Sequence, residues 1–217
     1  MQNPDDKTQH TVHRLEAFSD VVMGFCLAQL GLNLAFPGSL SSSADVLPGV
    51  ALFIASFAFI ALLWWLHHRT FSTYFVLNTP MIVTNFAMLC ALVVTLYFFE
   101  NVIHVPSSDA NAAIYFPGFA VSFAFVYGLL GVMLVSGLRL RWTTLPPSDI
   151  RWGIGQLTSI AIAVLFFAFV GAYVAGPIHH FSIGYASLIA AAVAFTIRRV
   201  ILPRLLRRAI PDAPAST

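Results

Sequence analysis

Long apolar runs separated by short polar breaks dominate this chain. Six stretches are long enough to cross a bilayer: residues 17–36, 47–66, 77–99, 113–137, 153–174 and 183–202. A hydrocarbon core of roughly 30 Å takes about 20 mostly apolar helical residues. Apolar residues within these runs are continuous rather than alternating, which selects helices over strands. In lipid, a helix satisfies its own backbone groups. The pattern therefore predicts an all-α membrane protein of six spans.

The breaks carry the orientation. PGSLSSSADV, ENVIHVPSSDAN and AGPIHHFS contain no Lys or Arg, whereas HHRTFSTYFV holds Arg69 and GLRLRWTTLPPSDIRW holds Arg139, Arg141 and Arg151. Lys7 and Arg14 precede the first run, and Arg198, Arg199, Arg204, Arg207 and Arg208 close the last. All eleven basic residues thus fall on one side of a six-span path, which makes both termini cytoplasmic by the positive-inside rule. One membrane domain over residues 1–217 is expected, with 203–217 as a basic cytoplasmic tail. The polar start, MQNPDDKTQHTVH, lacks the basic-then-apolar layout of a cleaved signal, so the first span is expected to be retained. RRVILPRLLRR can bind anionic head groups or act as a stop signal with a fraying end, and both readings stand.

Composition agrees with a membrane protein. The chain is 59% hydrophobic and 9% charged, where a soluble domain carries roughly a quarter charged residues. Cys26 and Cys90 lie inside apolar runs, where a thiol packs as a small hydrophobe. Neither a disulfide framework nor a metal site is expected from them.

Little in the sequence suggests an enzyme. Neighbouring residues on a helix point about 100° apart, so His67-His68 and His179-His180 are poorly spaced to share one metal. FSIGYA at 181–186 has a faint likeness to a TVGYG filter, but no pore-helix segment precedes it. No nucleophile triad, phosphate loop or catalytic carboxylate pair can be assembled. No cofactor, metal or nucleic-acid partner is expected.

The first run is the exception to an otherwise plain pattern. It opens with RLEAFSD, so Asp20 stands at the mouth of an apolar helix, where a carboxylate is costly without a partner or water. Phe25, Gln29 and Leu32 share one helical stripe, and Asn33 lies beside it. Gly24, Gly31, Gln29 and Asn33 make this helix less apolar than a lipid-facing one. Two readings stay open on spacing alone: the amides bond across helices within one subunit, or they line a water-filled path.

RLEAFSD resembles the R-x-x-x-F-S-D signature of the transmembrane protein 175 family of potassium channels, through Arg14, Phe18, Ser19 and Asp20. WWLHHRTF resembles that family's W-x-x-H-H-R stretch through Trp64 or Trp65, His67, His68 and Arg69, with a weaker match at Asn85. The resemblance implies a bacterial homotetramer of six-helix subunits in the cell membrane, conducting potassium or another monovalent cation. It implies a pore lined by the first helix, with Phe25, Gln29 and Leu32 at its constriction. It also implies a polar network that supplies Asp20 with partners from Arg14 and from His67, His68 and Arg69. The chain departs from the family pattern at Phe25, where Ile or Leu is usual, and at Gln29, where Leu is usual. Ala28 and Val21 depart too. Two other functions are compatible with the residues: a proton-coupled transporter in which Asp20 titrates, and a non-conducting membrane scaffold.

Overall fold

The computed structural model describes residues 4–33, 43–104 and 112–174. The expected sixth span, the histidine pair 179–180, FSIGYA and the basic tail lie outside them. The described residues form five helices: α1 (Pro4–Asn33), α2 (Ser43–Tyr74), α3 (Thr79–His104), α4 (Ala112–Arg141) and α5 (Pro147–Val174). No strand occurs among the described residues. Four segments are long and apolar enough to cross a membrane, namely Thr8–Leu32, Thr79–Val102, Ile114–Arg141 and Pro147–Ala172. The protein is a helical membrane protein.

Several helices run beyond the apolar stretches. α1 starts at Pro4 rather than 17, α2 continues to Tyr74 rather than 66, and α5 starts at Pro147 rather than 153. Hydropathy marks only the part of a helix suited to lipid. The backbone hydrogen-bond ladder continues past that boundary wherever no breaker intervenes. These longest extensions lie on the Lys- and Arg-bearing side of the sequence pattern, and shorter ones, to Ser43 of α2 and His104 of α3, lie on the other.

Where helices do stop, the cause is local. Asn78 caps α3: its Oδ1 accepts the Met81 amide at 2.9 Å, and its carbonyl accepts the Ile82 amide at 3.1 Å. Pro80 sits in the first turn, where an amide would have no intrahelical partner anyway. α4 closes through Arg141, whose carbonyl accepts the amides of Thr144 and Leu145. Pro147 then opens α5 at the position proline tolerates best.

The chain divides into two compact units, Met1–Ser72 and Thr73–Thr217. In the first, α1 and α2 run antiparallel. Glu16 meets His68, Asp20 meets Trp64, and Gly31 lies under the Phe53 ring. Along this series one residue number rises by as much as the other falls, so a single register holds for about four helical turns.

In the second unit α4 packs against both α3 and α5. Gly153 sits beside Leu138, Gly131 beside Ile160, and Gly171 beside Ala120 and Val121, again in equal steps. Small residues let helix backbones approach closely where lipid gives no hydrophobic drive to associate. Phe119, Phe123, Tyr127 and Phe167 fill the space around this seam, with Phe123 and Phe167 ring centroids 4.6 Å apart.

One end of the unit is organised by Tyr74, which is fully buried. Its hydroxyl donates to the Asp149 carbonyl at 2.6 Å, and its ring stacks on Trp152. Its backbone lies so close to Gly137 that any side chain there would strike the Tyr74 carbonyl oxygen. Arg141 donates to the neighbouring Thr73 carbonyl. These contacts tie the last residues of α2 to α4 and α5.

Candidate pore helix and its latch

α1 presents two unlike faces. Ser19, Met23, Cys26 and Leu30 recur at three- and four-residue steps and are at most 1% exposed. The opposite arc carries Phe18, Val21, Phe25 and Leu32, and the last two are 67% and 72% exposed. Gln29 lies at the edge of that arc and is half-buried. Arg14 shares the arc and is exposed. The Asn33 side chain lies outside what the structure describes.

The buried face includes the motif serine. Ser19 Oγ donates to the Leu15 carbonyl at 2.9 Å, one turn back along the same helix. This bond lets a hydroxyl sit in an apolar environment without an open donor.

Asp20 and Glu16 point toward α2. The indole Nε1 of Trp64 donates to Asp20 Oδ1 at 2.8 Å. His68 Nδ1 lies 3.1 Å from Glu16 Oε1, and His13 Nδ1 lies 3.7 Å from Glu16 Oε2. The Trp64 and His68 rings stack with centroids 5.5 Å apart and planes 20° from parallel. Each helix thus contributes two residues four apart, and such residues share a face. The four form a latch of two adjacent rungs.

Both rungs are partly solvated: Trp64 is 38% exposed and the His68 side chain 44%. Each is therefore a modest tie, about 0.5–1.5 kcal/mol for the indole hydrogen bond and about 0–1 kcal/mol for the histidine–carboxylate pair.

Measured around α1 at about 100° per residue, Phe25 and Leu32 lie roughly 120–140° from Asp20. By joining Asp20 to Trp64, the latch fixes the rotation of α1 about its own axis. The Phe25 stripe is then turned away from α2.

The residues singled out in the sequence fall into separate groups. The expected partners of Asp20 were Arg14 and the histidine–arginine end of α2. Arg14 makes no ion pair among the described residues, and the bond to Asp20 comes from Trp64. His67 is fully buried with its ring 5.6 Å from that of Phe71. Arg69 is half-buried, and its carbonyl accepts the Ser72 hydroxyl. Asn85 is fully buried in α3.

Two latch residues were not expected as partners: Glu16 occupies a variable position of the motif, and Trp64 entered only as one of two tryptophans that could match the W-x-x-H-H-R stretch. A signal was present: Glu16 with Asp20, and Trp64 with His68, are both i, i+4 pairs at the same end of consecutive antiparallel spans.

No curated protein and no solved structure matches this chain. Residues 14–96, from the motif arginine through most of α3, match the family model described as Endosomal/lysosomal potassium channel TMEM175, and it is to that potassium-channel family that the chain's R-x-x-x-F-S-D motif points.

Proposed function

We propose that this chain is one subunit of a homotetrameric channel that conducts potassium or another monovalent cation across a cell membrane. The subunit is a single six-span domain with cytoplasmic termini. α1 lines the pore, and Phe25, Gln29 and Leu32 form its narrow section. Arg14, Phe18, Ser19, Asp20, His67, His68 and Arg69 serve the structure around it rather than coordinating the ion. The carrying observation is the Asp20–Trp64 bond on one side of α1 with the exposed Phe25 and Leu32 on the other.

Lipid alone would suit Phe25 and Leu32, but it would not suit the amide of Gln29 on the edge of the same arc. A pore resolves this, because four amides facing an axis remain in contact with water and offer carbonyl oxygens to a passing cation. Rings of Phe25 above or below them supply a constriction that closes by losing water.

The test is potassium flux in vesicles reconstituted with purified protein. Phe25→Ala widens the constriction and raises flux, and Gln29→Leu lowers it by removing the wet ring. Val94→Ala, an exposed position on α3, leaves flux unchanged. Absence of flux, or flux indifferent to both α1 substitutions, overturns the reading.

A further inference from the structure

A groove of about 320 Å³ opens between the start of α3 and the end of α4, within the second unit. Its accessible wall is apolar, formed by Pro80, Val132 and Leu140 over the buried Met81 and Met133, while Asn78, Ser136 and Arg139 give it a polar rim. That volume falls at the small end of ligand sites, about 300–1,000 Å³. It suits a phosphate with glycerol and the first methylenes of one chain, not a whole lipid.

Charge decides what such a groove takes. α3 and α4 carry no Asp or Glu between Thr79 and Phe99 or between Ala112 and Arg141. Glu100, the first acid on α3, lies about 30 Å along the helix from Pro80. Arg141 is engaged with the Thr73 carbonyl and Arg151 with the Pro147 carbonyl. Arg139 makes no ion pair or hydrogen bond among the described residues, and neither does the Ser136 hydroxyl. The two are three residues apart on α4 and share a face. The groove also lies between the positive end of α3 and the negative end of α4, each worth about half a charge, so these nearly cancel. What remains is the full charge of Arg139 over an apolar trough.

We propose that this groove binds an anionic phospholipid, its phosphate held by Arg139 and Ser136 and its first methylenes laid against Pro80, Val132 and Leu140. The amphiphilic match favours a lipid over a free anion, because an inorganic phosphate would leave the apolar wall wet. Val132 and Leu140 are more than half exposed, so the apolar wall is open to a lipid chain.

The test uses the full chain in mild non-ionic detergent, with short-chain phosphatidylglycerol and phosphatidylcholine compared by native mass spectrometry. One basic residue near a head group corresponds to about a five-fold preference for the anionic lipid. Arg139→Gln abolishes that preference, Arg139→Lys keeps most of it, and Ser136→Leu lowers occupancy by filling the rim. A tail variant with Arg204, Arg207 and Arg208 changed to Gln retains it. The proposal is overturned by a preference that survives Arg139→Gln, or by one lost only in the tail variant. Displacement of the lipid by an equal concentration of glycerol phosphate overturns it as well, since that marks a free-anion site.

Discussion

Trp64 of α2 donates its indole N–H to the carboxylate of Asp20 on α1 at 2.8 Å, and this contact sets which side of α1 faces α2. A carboxylate at the mouth of an apolar helix thereby has a partner that needs no second charge. An indole is a donor only, so it cannot turn the interaction round as an amide could.

Trp64→Phe keeps a ring over His68 and removes the donor. It is expected to lower stability by about 0.5–1.5 kcal/mol, since the bond is solvent-exposed, seen as a reduced melting temperature in detergent. A double-mutant cycle with Asp20→Ala, which removes the acceptor, should return a clear coupling energy. Additive single effects would show that the bond carries no weight.

Glu16→Gln should cost about 0–1 kcal/mol, because the His68 side of that rung is partly solvated. The measurement is the same melt, and a loss well above about 1 kcal/mol would contradict a solvated pair.

The two native thiols offer a direct check on the faces of the helices. Cys26 is 1% exposed and Cys90 is exposed. Mass spectrometry during N-ethylmaleimide treatment in detergent should find Cys90 modified first and Cys26 protected until the protein unfolds. Fast labelling of Cys26 would mean that α1 is rotated from the orientation described above.

Gly137→Ala places a methyl group against the Tyr74 carbonyl oxygen, a backbone atom with no rotamer to escape into. The expected loss is about 1–3 kcal/mol despite the better helix propensity of alanine. Gly128→Ala, which meets nothing within 4 Å, should be neutral or stabilising. Equal melting temperatures for the two variants would contradict the close approach at Gly137.

Tyr74→Phe deletes the 2.6 Å bond to the Asp149 carbonyl while keeping the stack on Trp152. A loss of about 1 kcal/mol is expected, read as a shift of the denaturation midpoint. No shift at all would mean that water replaces the hydroxyl there.

Much of this protein could be read along the chain. The helical, membrane-spanning class followed from continuous apolar runs, because lipid forces every backbone group to find a partner within its own segment. Within the described residues the runs near 17–36, 47–66, 77–99, 113–137 and 153–174 each lie largely on one helix, the first described only as far as Asn33. The family resemblance was equally local, since R-x-x-x-F-S-D is written in seven consecutive residues.

Pairing between helices was not local. The motif named Arg14 and Asp20 together, and opposite charge made them a natural pair. Yet Arg14 lies about 120° around α1 from Asp20, which a helical period of 3.6 residues makes hard to bridge. The partner came instead from a residue 44 positions away, whose ring could equally have lain at a lipid interface.

By itself, the sequence determined that this is a helical membrane protein with a polar motif at the mouth of its first span. Those features depend on the solvent each segment requires and on side chains a few residues apart. Only the tertiary structure decided which carboxylate meets which ring, where Gly137 must stay bare, and which face of α1 is left open. Those depend on the register and rotation of packed helices, and these are set by many weak contacts acting together rather than by any one stretch of chain.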